Sequence, residues 1–324
     1  GPSFVNDDFG DVFSLFFAVT GEGYSLTQIR DYVDGLEREL LLVPGVPRGW
    51  LLVREGGGAV RTGAVATTVL LDDTGAAAGV RWAEEVGDRS AAADSVLAGC
   101  APSVLAGMLP PAAAAGVTAP FAGRRLSISL FTVTYLLDRP ARDVGIASYS
   151  TALLPHWMER LEDFRHAGAL MHRPPGRRMP PVVVVDYGRV ESGLGSGPAP
   201  VSVTGIDRLE NWEGLDRAAY DARKRAWVDA LAERLDWEWP GFAAAVQSGE
   251  MANARTMERV LGTPGGAVYG FAPDVPEHPF RGPRTAVETA VPGLYLASAW
   301  GGFGGFTGAM GTGAMAARAV QRRA

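Results

Sequence analysis

Residues 292–318 read PGLYLASAWGGFGGFTGAMGTGAMAAR. The first part, Leu294-Tyr295-Leu296-Ala297, places four apolar or small residues behind a Pro-Gly turn and predicts a buried strand. Gly301-Gly302-Phe303-Gly304-Gly305 then loosens the chain. The small residues Thr307-Gly308-Ala309-Met310-Gly311-Thr312-Gly313-Ala314 lead into a helix that ends in Arg318, Arg322 and Arg323. Thr307 is a candidate cap for that helix. Strand, glycine loop and small-faced helix let backbone come close to a flat or phosphorylated ligand, and the first helical amides face any anion placed there. A glycine loop of this kind also serves tight packing of one segment on another.

Working outward, the chain has 324 residues, 47% of them hydrophobic, which is room for two domains or one large α/β domain. A net charge of −6 argues against a nucleic-acid backbone as partner. Cys100 is the single cysteine, so an intrachain disulfide and a cysteine metal cluster are excluded. No apolar run is long enough to span a bilayer: residues 126–137 are interrupted by Ser127, Ser129, Thr132 and Thr134 and alternate like a strand. Gly1-Pro2-Ser3 has the look of a protease scar. The expectation is a cytoplasmic protein, or one peripheral to a membrane.

The periodicities predict a mixed α/β chain. Near the start, residues 12–19 read as a strand and 29–43 as a helix, with Ser25 and Gln28 as a capping box. Residues 60–63, 65–71 and 79–82 are strand-like, with turns at Gly56-Gly57-Gly58 and Asp72-Asp73-Thr74-Gly75, giving an antiparallel meander over 50–100. Residues 126–138 predict one long strand, and 182–186 and 201–206 two more. Residues 215–237 form the clearest helix, with Leu215, Ala218, Ala219, Ala222, Ala226, Trp227, Ala230, Leu231, Arg234 and Leu235 on one face. Pro240-Gly241 breaks it before a second short helix.

Together with TPGGAVYGF at 263–271, the 292–318 stretch resembles the C-terminal end of the phytoene desaturase, carotenoid isomerase and retinol saturase group of FAD-dependent oxidoreductases. GGGAVRTGAVATTVLL at 56–71, AAAGVRWAEE at 76–85, ADSVLAGCAPSVLAGMLP at 93–110 and VTGIDRLENWE at 203–213 resemble the same family, so the likeness covers about residues 54–323. It implies that Gly265, Gly266, Ala299, Trp300, Gly301, Gly304, Gly305, Phe306, Thr307 and Gly308 hold FAD, and that residues 93–98 form the next strand of the nucleotide-binding sheet. In such enzymes the flavin takes hydride from an apolar polyene, so a small apolar substrate is implied and no acid, base or nucleophile is assigned.

The family opens with a βαβ unit whose G-x-G-x-x-G turn seats the pyrophosphate. Gly21-Glu22-Gly23 is followed by Tyr24-Ser25-Leu26 and lacks the third glycine, so the expected fold is an FAD-type oxidoreductase fold without that unit, with weakened FAD binding. The start, VNDDFGDVFSLFFAVTGEGYSLTQIRDYVDGLERELLLVPGV at 5–46, resembles the porter region of resistance–nodulation–division efflux permeases. The domains expected are a permease-like segment at 1–49, a partial FAD-type domain at 50–105 and 285–324, and a substrate-type sheet-and-helix domain at 106–284. The permease-like segment or a homo-oligomer would cover the sheet edge left open.

Two other readings stand beside the flavin one. The chain could be a non-catalytic remnant that binds an apolar ligand. It could also be a serine hydrolase, with Ser150, Ser196 or Ser298 paired to His156 or His278, although Leu194 breaks the only G-x-S-x-G candidate. No histidine has metal-ligand spacing to another ligand-type residue, so no metal site is expected.

Overall fold

A computed structural model of the chain describes residues 3–6, 57–189, 200–272, 287–302 and 304–323. Numbered along the chain, its strands are β1 (Ser3–Asn6), β2 (Val65–Leu71), β3 (Ala77–Glu84), β4 (Gly87–Ala92), β5 (Val96–Ala98), β6 (Ser129–Leu137), β7 (Ser150–Leu153), β8 (Val182–Asp186), β9 (Val201–Asp207), β10 (Val246–Ala252) and β11 (Leu294–Leu296). Its main helices are α1 (Pro102–Ala106), α2 (Pro111–Thr118), α3 (Arg217–Glu238), α4 (Ala254–Leu261) and α5 (Gly305–Arg323). They divide into two compact units, residues 1–60 with 131–252 and residues 61–130 with 253–324.

The first unit is a six-stranded sheet in the order β1-β7-β8-β9-β6-β10. Strict alternation builds it. In β6, Phe131, Val133, Tyr135 and Leu137 are fully buried while the residues between them face the other way. Gly205 on β9 leaves room for the Phe131 ring, which would lie 2.6 Å from a Cβ there. Against this sheet lies α3, whose Asp216 caps the helix by accepting from the Ala219 amide. The Tyr135 hydroxyl donates to the Val228 carbonyl on that helix, 2.6 Å away. Burial pushes the Tyr135 hydroxyl far above its usual range, which fixes it as a donor. Below the sheet's end, the buried Asp207 carboxylate accepts from Asn211 and from the Trp212 indole at 2.7 Å each.

The second unit joins two small sheets. One is the antiparallel meander β2-β3-β4, turned at Asp72, whose carboxylate accepts from the Thr74 amide and hydroxyl and from the Ala76 amide. The Thr74 hydroxyl bond, followed by those amides, holds the Asp72 carboxyl below its usual pKa. The other is the parallel pair β5–β11, registered Leu294 to Val96 and Leu296 to Ala98. Val69, Val96, Leu105, Val117, Leu294, Leu296 and Trp300 pack together beneath them.

Several expectations change. Residues 60–63 are irregular, because Gly63 turns at φ 68° and no strand among the described residues pairs with the segment. The long strand begins at Ser129 and not at 126, because Leu126 leaves the main sheet to bridge Phe271. Strands β4 and β10 escape a hydrophobicity reading because β4 is exposed throughout and β10 is a polar edge strand. The buried stripe of α3 is Trp227, Leu231 and Leu235, whereas Ala218, Ala219 and Ala222 are exposed. Small size made those alanines look core-facing, but the face is set by what reaches the sheet. The strand and helix expected at 12–43 lie outside the described residues, and Ser3–Asn6 pairs antiparallel with β7.

That corrected face is testable. Leu231→Ala should lower stability by about 2–5 kcal/mol through the cavity it leaves. Ala222→Ser should change it by less than about 0.5 kcal/mol. Urea unfolding followed by tryptophan fluorescence reads both, and equal effects would put the stripe on the wrong side.

Candidate functional site

The sequence brings two separated motifs to one place in the second unit. After β11, whose three side chains are all buried, Ser298 caps a single turn at Ala299–Gly301 and α5 starts at Gly305. The Ser298 hydroxyl donates to the Cys100 carbonyl at 3.2 Å and accepts from the Trp300 amide at 3.4 Å. Four residues into the buried face of α5 from Gly308, Thr312 donates to the carbonyls of Ser298 and Gly308, each at 2.8 Å. This bond ties the helix to the strand end. The same face continues to Ala316 and Ala319, which pack with Val287 and Tyr295. Thr307 is not the helix cap, because the helix begins two residues before it.

The 263–271 motif meets this turn from the other side. Gly265 and Gly266 both have positive φ, 62° and 65°, and make a tight turn after α4. The Gly266 carbonyl accepts from the buried Ser129 hydroxyl at 2.7 Å, and the Gly265 amide donates to the Glu258 carboxylate at 3.2 Å. From there the chain runs antiparallel to residues 125–128: Val268 donates to the Ile128 carbonyl, Ser127 to that of Gly270, and Ala272 to that of Arg125. Phe271 stacks on Phe121 with centroids 5.4 Å apart and takes the Trp300 ring edge-on at 4.9 Å. Arg124 lies over the Phe271 ring at 5.0 Å.

What occupies the space beside the glycines decides their role. A Cβ on Gly266 would lie 2.3 Å from the Ala254 carbonyl oxygen, and one on Gly270 2.8 Å from that of Ala299. On Gly304 it would lie 2.4 Å from the Tyr269 carbonyl oxygen, and on Gly305 2.9 Å from the Tyr269 ring. Gly270 and Gly304 let the two motifs press backbone against backbone, Gly305 takes the Tyr269 ring, and Gly266 packs on the start of α4, so the protein itself fills the space they free. Gly304 still presents an exposed side, with Gly302 and Thr307 half-buried beside it, whereas Gly301 and Gly308 are buried. Phe306 lies within α5, and its side chain is outside the described residues. Burial raises the Tyr269 hydroxyl pKa, so it stays protonated at neutral pH.

Sequence reasoning found both motifs and missed what joins them. Gly270 and Tyr269 carry the contact, and the signal available was a tyrosine–glycine pair inside the TPGGAVYGF motif itself. Two hollows among the described residues lie elsewhere. One, of about 490 Å³, is lined by Trp157, Arg160, Arg165 and three carboxylates, and the other, of about 390 Å³, runs along residues 67–71 and 107–110. Of the hydrolase candidates, Ser298 is held as a turn cap, Ser150 is buried within β7, and His156 is exposed. Ser150 and His156 share no hydrogen bond, and Ser196 and His278 lie outside the described residues. Burial pushes the Cys100 thiol up, away from a reactive thiolate. Among the described residues no cluster of ligand-type side chains could hold a metal ion, and no helix is long and apolar enough to cross a membrane.

No protein-family model and no curated protein matches the chain. Among solved structures it is similar to an oxidoreductase from Methanosarcina mazei, at 14% identity and a TM-score of 0.48, over 83% of this chain and 52% of the other. The chain thus spans about half the length of that protein.

The glycine packing predicts opposite signs for two alanine substitutions. Gly304→Ala should destabilise by about 1–3 kcal/mol, because its Cβ meets rigid backbone. Gly311→Ala, on the exposed side of α5 with no described atom beyond its own helical backbone within 4 Å of the new methyl, should stabilise by up to about 1 kcal/mol. Thermal melts of the two variants read the difference.

Proposed function

We propose that the chain is an oxidoreductase of the polyene desaturase and isomerase type, acting on a small apolar substrate with FAD as its cofactor. One observation carries this reading. Residues 263–271 and 292–308, quoted as two separate motifs, come together on a parallel β5–β11 pair that runs through a tight turn into a small-faced helix. That is the strand–loop–helix such a flavin site needs, in the order needed. The groups left to meet a cofactor are the open side of the loop at Gly302 and Gly304, and the first-turn amide of α5 at Thr307, which has no partner within the helix. FAD, when bound there, would supply hydride acceptance. The chain's own contribution is then positioning: Trp300, Phe271 and Phe121 hold the loop from behind, and backbone amides of the loop would hold the pyrophosphate. No acid, base or nucleophile is assigned.

A second reading is favoured by the filled spaces beside Gly266, Gly270, Gly304 and Gly305. If those glycines serve only chain packing, the unit is a scaffold without redox chemistry that binds an apolar ligand.

A visible spectrum separates the two. The purified protein is mixed with excess FAD, desalted, and scanned. Retained flavin absorbance, weakened when Gly302→Val crowds the open side of the loop, is the expected result. A colourless protein after desalting would leave the scaffold reading in its place.

A further inference from the structure

The second unit carries a surface that the proposed cofactor site does not use. Of the large hydrophobic side chains exposed among the described residues, five fall in two short segments: Leu126 at 42% exposure, Ile128 at 40%, Val260 at 67%, Leu261 at 54% and Tyr269 at 37%. They adjoin one another. Residues 125–128 and 268–272 form one antiparallel ribbon, in which Leu126 bridges Phe271 and the Val268 amide donates to the Ile128 carbonyl. Leu126 and Ile128 are both exposed on the first segment, while Gly270, at φ 80°, turns the second and the Tyr269 ring packs toward Gly305. Helix α4 ends against it: Gly265, in the turn after the helix, would place a Cβ 3.0 Å from the Leu126 side chain.

The helix has a strong apolar stripe of Ala254, Met257, Val260 and Leu261, at spacings of three and four residues. Ala254 is buried and Met257 half-buried, but Val260 and Leu261 stand in solvent. The stripe therefore starts in the core and runs out onto the surface.

The charges around it have one dominant sign. Segments 119–130 and 253–272 contain Arg124, Arg125, Arg255 and Arg259 against Glu258 alone, a local balance of +3 (four minus one) in a chain of net −6. Arg125 and Arg259 are exposed and make no ion pair among the described residues, and Glu258 is turned inward to the Gly265 amide. An apolar helix face flanked by arginines matches the surface of an anionic lipid bilayer. A second copy docked symmetrically through the same patch would set these cations against like charges.

We propose that the α4 end and the 126–128 edge form a peripheral docking surface for anionic membranes. It works by shallow insertion of Val260, Leu261, Leu126 and Ile128 into the headgroup boundary. Arg125 and Arg259 hold lipid phosphates and carboxylates at the rim. The inference does not rest on the flavin reading.

Co-sedimentation of the full chain with vesicles tests it, using neutral phosphatidylcholine or the same lipid with 30% phosphatidylglycerol. The expected result is at least tenfold tighter binding to the anionic vesicles, falling as salt rises and the Debye length shortens. Val260→Ser with Leu261→Ser should reduce binding at least fivefold. Arg125→Gln with Arg259→Gln should abolish the anionic preference while leaving light-scattering mass unchanged. These side chains are exposed, and matching circular dichroism confirms that each variant folds. Wild-type protein that stays in the supernatant with anionic vesicles would overturn the proposal, as would serine variants that bind like wild type. A dimer in solution that the serine pair converts to monomer, with vesicle binding intact, would also overturn it and assign the patch to a second copy.

Discussion

The second unit depends on one close approach, the backbone of Tyr269-Gly270 against Ala299-Trp300 and Gly304. It joins segments that lie about thirty residues apart in sequence, and it is possible only because a hydrogen atom stands where a side chain would otherwise be. The aromatic stack behind it, Phe121 on Phe271 on Trp300, converts that approach into buried apolar area. Stacked and edge-on pairs of this kind contribute about 0.5–1.5 kcal/mol each beyond their area. The approach also sets the start of α5, and with it the bond from Thr312 to the Ser298 carbonyl.

The parallel β5–β11 pair is the frame on which this contact is hung. β11 has no exposed residue, so its side chains read as a continuous apolar run and not as an alternating one. Around the pair, the Ala77 amide donates to the Pro292 carbonyl and the Val96 amide to that of Gly293, which fastens the meander to the strand's entry. The loop and the first turn of α5 follow the carboxyl end of β11. The first unit obeys a different logic. Its six-stranded sheet buries one face under α3 and holds that helix by the Tyr135–Val228 bond and the Trp227 indole, which donates to the Arg173 carbonyl at 3.0 Å.

The candidate site was legible in part. Gly265, Gly266, Ala299, Trp300, Gly304 and Gly305 were all marked by their motifs; Gly304 and Gly305 meet Tyr269, whereas Gly265 and Gly266 meet Leu126 and Ala254. Their physical role was not legible, since a glycine in a sequence reports only that a side chain is unwelcome. Whether a ligand or another strand excludes it depends on atoms brought from elsewhere in the chain. Gly311 makes the same point in reverse, because nothing beyond its own helix approaches it among the described residues.

By itself the sequence determined the elements whose signals are local. Residues 182–186 match β8 in full, 201–206 match β9 to within a residue, and Asp72 with Gly75 makes the expected turn. Leu294–Leu296 is the buried strand expected, and α3 covers the span its periodicity marked to within two residues. Period, turn chemistry and capping act over a few residues, so they can be read one residue after another. Tertiary structure alone decided which face of α3 is buried, that the polar segment Val246–Ala252 is an edge strand beside β6, and that Leu126 leaves one sheet for Phe271. Each of those outcomes is set by a partner far along the chain, and the free energy of that pairing is not written in the local run of side chains.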